Sequence, residues 1–230
     1  MPALYPTDDW TWEDMVEKAE KLTKEDSSVY GIAAPYDGQT CYYNIVFANG
    51  GEIISNDKKS SGYDKPETQA GIQCWIDLQT AGLSPSQASL EEATADAQFL
   101  SGKVAMAWIG SWLLPNILAS DIKDDIDCVE VPSINGQKGN TAHGLGNCIY
   151  KNTKNPEASW AWVDAYPQYN LKSYITAAEE CSFEYPSSVN TAEWDQYEAD
   201  NLKKVYALEI DLKTAADNLA AQMNEVLANE

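Results

Sequence analysis

An α/β fold with a mostly parallel sheet and a helical C-terminal tail is predicted by three features of the sequence. Two short, continuous apolar runs, 29–34 (VYGIAA) and 104–109 (VAMAWI), have the character of strands buried on both faces. Amphipathic helical patterns alternate with these runs, the order expected of parallel strands joined by crossover helices. From residue 171 onward the apolar spacing is helical throughout. A chain of 230 residues is long enough for one large domain or two small ones.

The elements follow in order. Thr11 reads as an N-cap with Glu13 and Asp14 in the first turn, and Met15, Val16, Ala19 and Leu22 recur at helical spacing, predicting a helix over 12–24. Strand 29–34 ends in the loop Pro35-Tyr36-Asp37-Gly38-Gln39. A helix over 42–49 stops at Gly50 and Gly51, before an extended Ile53-Ile54. Asp64, Pro66 and Glu67 start the next helix, Ile72, Trp75, Ile76 and Leu78 form its apolar face, and Gly82 ends it. A loop over 83–89 leads to a helix over 90–101, ended by Gly102 before strand 104–109. Ser111 then caps a short helix with Trp112 at its first position, where Pro115 is tolerated in the first turn. Strands are expected at 126–131 and 146–150, and Asn155-Pro156-Glu157 opens a helix carrying Trp160, Trp162 and Val163. Helices over 171–180, 192–208 and 212–227, the last capped by Asp211, complete the chain.

Composition narrows the ligand. With 36 acidic residues against 15 basic ones the formal net charge is −21, and every basic residue is lysine. Such a field repels nucleic acid and anionic lipid, and without arginine there is no bidentate clamp for phosphate or carboxylate. A neutral or cationic ligand is expected, although acidity that merely confers solubility carries equal weight. Eight tryptophans and 13 tyrosines against three phenylalanines favour surfaces that must be half wet. No apolar run reaches transmembrane length and no signal-like segment follows Met1, which leaves a cytoplasmic protein or one whose export signal has been removed. The five cysteines, Cys41, Cys74, Cys128, Cys148 and Cys181, stand singly and are expected to be small buried hydrophobes rather than zinc ligands.

Little in the sequence suits catalysis. The one histidine, His143 in TAHGLG, has no marked partner, and there is no GxSxG elbow, Walker loop or strand-to-helix GxGxxG. Lining a ligand cleft suits His143 better than a catalytic role does, and a structural or solvated role carries at least as much weight. The acidic pairs Asp8-Asp9, Glu91-Glu92, Asp124-Asp125 and Glu179-Glu180 read as solvated. The run 121–127 (DIKDDID) lacks the glycine and terminal glutamate of a calcium loop, so neither metal nor cofactor is expected. What remains are aromatics that follow strands, Tyr36, Tyr42, Tyr43 and Trp112, where open α/β sheets bind ligands. Sugar rings offer C–H faces that stack on such side chains, and Gln39, Asn44, Ser111 and the backbone of Gly110 and Gly144 could meet the hydroxyls. The bland reading is that Trp112 packs on its own core.

The segments TWEDM…VYGIAAPYDGQ…YYN…NGGEI, FLSGKVAMAWIGSWLLPNI and DIDCVEVPSINGQKGNTAHGLGNCIYKNTKNPEASWAWV resemble the extracellular solute-binding proteins of ABC sugar importers, the group related to maltose-binding protein. In that family two α/β lobes close on a sugar, and a tryptophan in the GSW-like segment stacks on it. The resemblance implies a class II periplasmic-binding-protein-like lobe in which Trp112 is the stacking residue, flanked by Gly110 and Ser111. It implies that Tyr36, Gln39, Tyr42 and Tyr43 face the same cleft, and that His143 and Gly144 stand at the crossing strand. Family members have a whole lobe before the TWEDM helix, so residues 1–230 correspond to a single domain, the C-terminal lobe, with 143–170 a shortened excursion toward the missing N-terminal lobe. The implied function is non-enzymatic carbohydrate binding, with permease subunits and the other lobe as partners, no nucleic acid, and an extracytoplasmic location in which only a lipid anchor touches the membrane. The rivals are an interaction module without sugar binding and an acidic glycoside-processing enzyme.

Overall fold

A computed structural model describes residues 6–142, 149–165 and 182–230. Helix α1 (Trp12–Leu22) opens with a full capping box, in which the Thr11 side chain accepts from Asp14 N and the Asp14 carboxylate accepts from Thr11 N. A single π-helical turn (Gly38–Tyr42), capped by Asp37, runs directly into α2 (Tyr43–Ala48). Helix α3 (Pro66–Thr80) crosses α2 closely: a Cβ on Gly71 would lie 2.8 Å from Val46 Cα, so only glycine permits the approach.

Where one helix over 90–101 is expected there are two, α4 (Gln87–Glu92) and α5 (Ala95–Leu100), because Ala93 adopts an extended conformation. The buried Gln98 amide spans the break by donating to the Ser89 and Ala93 carbonyls. Helix α6 (Leu114–Leu118) and α7 (Pro156–Ala165) follow. The C-terminal pair, α8 (Thr191–Tyr206) and α9 (Leu212–Ala228), packs face to face, with α9 capped by Asp211 as its sequence predicts. The helix expected over 171–180 lies outside the described residues.

The parallel arrangement is present with less ladder than expected. Segments 29–34 and 104–109 run alongside through the parallel bridges Tyr30–Val104 and Ala33–Ala107, and Ala33 N donates to Met106 O at 3.0 Å. Among the described residues the one regular sheet pairs β1 (Asn140–Ala142) with β2 (Ser182–Glu184), parallel, in register Thr141 to Phe183. Residues 126–131 form no strand. They are held from outside the sheet, where the Trp10 indole donates to Glu130 O at 2.7 Å and Ser133 N donates to Trp10 O at 3.1 Å. Ile149 and Tyr150 are not in a strand either, and 146–148 lie outside the described residues.

One core collects α1, α2, α3, α8 and α9 around Trp75, Trp194, Tyr42, Tyr63 and Met223, all fully buried. Ala215, Leu219, Met223 and Val226 recur every three or four residues and turn one face of α9 into it. Cys41 is buried there and burial raises its thiol pKa, whereas Cys128 is exposed, contrary to the expectation for all five cysteines. Its segment, 121–130, is almost wholly polar or exposed and offers no core to enter.

Candidate functional site

The extended segment 104–110 delivers Trp112. Residues two apart share a face, and Met106 and Trp108 pack against the core. Trp108 meets Trp75 with ring centroids 5.2 Å apart and Trp12 edge-on at 6.4 Å. At Gly110 the backbone is still extended (φ −76°, ψ 151°), and a 3₁₀ turn (Ser111–Leu113) then starts α6. Ser111 is exposed and makes no side-chain cap, so Gly110 occupies the cap position predicted for the serine. Trp112 is 57% exposed. Its indole folds over Gly110, where an added Cβ would lie 2.2 Å from the ring. The glycine thus makes room for the protein's own tryptophan, a role hidden in the sequence, where it suggests close approach of a ligand.

The loop 35–43 hangs on the same support. Trp75 Nε1 donates to Pro35 O at 2.9 Å while its ring packs on Trp108, so one tryptophan of α3 steadies both the loop and the Trp112-bearing segment. Tyr36 N donates to Gln87 Oε1 at 2.9 Å, and Thr40 N to Asp37 Oδ1 at 2.9 Å. Tyr36 and Gln39 are half-buried, open on one side.

Tyr42 and Tyr43 are not. Both are buried, and their position after a strand, which suggests a cleft edge, instead carries them inward along the π-helical turn. Their hydroxyls donate to the carboxylate of Glu198 on α8, Tyr43 to Oε2 at 2.7 Å. Tyr63 also donates to Oε2, and Tyr36 to Oε1 at 3.3 Å. Burial raises the Glu198 pKa above its ordinary value, against the hydrogen bonds from Tyr42, Tyr63 and Tyr43, which lower it. Asn44 is likewise internal: its Oδ1 accepts from Thr141 N and Oγ1, both at 2.7 Å, pinning β1 to α2. His143 and Gly144 lie outside the described residues. Among the described residues no three His, Cys, Asp or Glu side chains are placed to hold a metal ion.

Glu198 had no signal in the sequence beyond its place on an amphipathic helix. A period count at 3.6 residues puts it in line with Trp194, Leu202 and Val205, which would have marked it as an inward-facing acid.

A helix-flanked parallel pair, an aromatic at the end of an extended segment and a C-terminal helical hairpin fit a class II periplasmic-binding-protein-like fold. The chain belongs to the bacterial extracellular solute-binding protein family, which it matches over residues 2–166. Among solved structures it is similar to an ABC substrate-binding protein of Listeria monocytogenes in complex with cycloalternan (TM-score 0.78, 21% identity, 97% of this chain and 65% of that one). It is also similar to an ABC transporter solute-binding protein of Thermotoga lettingae bound with α-D-tagatose (TM-score 0.77, 16% identity, 96% and 65%). A third is the maltose-bound MalE3 of T. maritima (TM-score 0.75, 19% identity, 96% and 66%). These likenesses are of fold, and the chain spans 65% of the length of the first two. No curated protein sequence matches it. Among the described residues no helix is long and apolar enough to cross a membrane.

Proposed function

We propose that this protein binds a carbohydrate as the C-terminal lobe of the solute-binding component of an ABC importer, outside the cytoplasm. In this reading residues 1–230 are one domain, and 143–170 is its excursion toward an N-terminal lobe. The observation that carries it is Trp112, an indole more than half exposed, backed by Gly110 and following an extended, core-packed segment in a member of a solute-binding family. One ring face rests on the backbone and the other is free for the C–H face of a sugar. In this reading the Ser111 hydroxyl and Gln39 amide are offered to the sugar, Tyr36, whose hydroxyl is taken up by Glu198, offers its ring, and His143 and Gly144 complete the rim. Tyr42 and Tyr43 support this edge from within rather than touch ligand. The bound sugars of the similar structures, cycloalternan, tagatose and maltose, are neutral, in keeping with a site built without arginine. Recognition is by stacking and hydrogen bonds, with no chemical step.

The test is a thermal-shift screen against neutral mono- and oligosaccharides at millimolar concentration, followed by calorimetry on any that bind. A ligand selective for the folded state raises Tm by mass action. Trp112→Ala should weaken binding by about 1–3 kcal/mol, the usual cost of removing an aromatic anchor. Unchanged affinity would remove Trp112 from the site.

A docking role for the same lobe draws on Leu114 and Leu118, 40% and 60% exposed one turn apart on α6. Permease subunits are the partners this suggests, and a shift on adding them that Leu118→Ser abolishes, with sugar response intact, is the expected sign.

A further inference from the structure

The carboxylate of Glu198 gathers hydroxyls from three separate parts of the chain. Tyr36 comes from the loop after the first extended segment, Tyr42 and Tyr43 from the π-helical turn and the start of α2, and Tyr63 from the approach to α3. All four donate to one side chain of α8, which is itself 5% exposed. A buried carboxylate needs such partners, and replacing several water hydrogen bonds by four fixed phenols ties those segments to one point. Of the four, Tyr36 alone is half open, and α8 clasps it further. Its ring lies edge-on to Tyr206 at 5.4 Å between centroids, and the Lys203 ammonium stands 6.0 Å above it.

We propose that Glu198 is the positioning residue of the ligand-side loop, a latch through which α8 sets how far Tyr36 projects from the core and which the gain or loss of one proton resets. The proposal rests on the reading of Tyr36 as a residue of the sugar site. With Glu198 ionised, its two oxygens accept all four hydroxyls. Once protonated, one oxygen carries a hydrogen and must donate it, so a phenol there has to turn and accept instead or leave. Tyr36, with the longest of the four bonds and a free side, is the one that yields. Burial places the change above the ordinary carboxylate range.

Among the described residues the other groups facing the latch are few. Asp195, one turn earlier on α8, is half-buried and also has a raised pKa from desolvation. Asp37 and Cys41 flank it from the π-helical turn, Lys203 and Tyr206 from α8, and Tyr185 packs on Tyr43 at 5.9 Å. The buried tyrosines keep their protons through the physiological range because burial raises their pKa values. Glu198 and Asp195 are therefore the two groups to separate.

The experiment places 3-fluorotyrosine at position 36 and follows its ¹⁹F signal from about pH 4.5 to about pH 9, the span over which buried glutamates titrate. The expected result is a single pH-dependent shift that is absent from Glu198→Gln and retained in Asp195→Asn. A flat signal in the otherwise unsubstituted chain, or a shift that survives in Glu198→Gln, overturns the proposal. Should Glu198→Gln not fold, the label is moved to position 63. One carboxylate requires the same midpoint at both positions, and unequal midpoints overturn the latch. The readout needs no sugar, so an empty sugar screen beside a titrating, Glu198-dependent signal overturns only the ligand reading.

Discussion

At Gly110 a single hydrogen atom decides where an indole lies. Because an added Cβ would stand 2.2 Å from the Trp112 ring, Gly110→Ala should swing the ring off its backing without disturbing the fold beneath. Sugar affinity is expected to fall in that variant as far as in Trp112→Ala, while Tm stays within a degree or two, since the ring is mostly exposed. Calorimetry and a melting curve together check this, and a loss of stability without loss of affinity would place the ring's importance in packing. Tyr206 poses the opposite case. Its hydroxyl is buried and has no hydrogen-bond partner among the described residues, so it was desolvated without compensation. Tyr206→Phe removes that cost and should leave Tm equal or raise it by a few degrees. Glu198→Gln has a pH signature in stability as well. A carboxyl whose folded pKa is raised gives stability that is present below its unfolded value and lost as pH rises through the folded one. The Tm of the glutamine variant, measured against the parent, should therefore climb with pH from 4.5 upward, and a difference that falls with pH would contradict burial as the dominant influence.

Among the elements, caps and periodicity were the legible part. Thr11 with Asp14, and Asp211 with Thr214, are where the sequence predicts them, because a cap is a local contract between a side chain and the next two or three amides. Asp211→Ala should lower Tm by about 2–4 °C, and circular dichroism melts will show whether α9 depends on it. The Asp211 pKa is lowered by bonds from Thr214, so its stabilising effect is present above the ordinary carboxylate value and lost in acid. Strands were less legible. The runs 29–34 and 104–109 are extended and parallel as predicted, yet they join by bridges rather than by a continuous ladder. Apolar character marks burial, but partners at matching register make a sheet, and register is a property of distant residues. The same limit hid the tyrosines. That Tyr42 and Tyr43 follow a strand is local information, whereas their burial depends on Glu198, more than 150 residues away in sequence. Trp112 follows the extended run 104–109 as its place in the sequence predicts, and it is exposed there.

For the molecule as a whole, charge is the dominant long-range force. Acidic residues outnumber lysines by more than two to one, and the net charge is −21. Ion pairs among the described residues, such as Lys58–Glu184 and Lys213–Asp217, are exposed and each is worth little. The excess of carboxylates over lysines is therefore left uncompensated and self-repelling. Spread over a surface this small, that repulsion favours expansion and opposes the packed state. Raising ionic strength from 0.01 to 0.1 M shortens the screening length from about 30 to about 10 Å. The repulsion weakens far more than the few short pairs do. Tm should accordingly rise over that range of sodium chloride, and by the same amount in potassium chloride, because screening depends on charge and concentration alone. A rise confined to one cation would point to specific binding, and a fall would mean that the lysine pairs outweigh the general repulsion. On the proposed reading a neutral ring rests against the indole, so sugar affinity should stay constant through a salt titration that moves Tm.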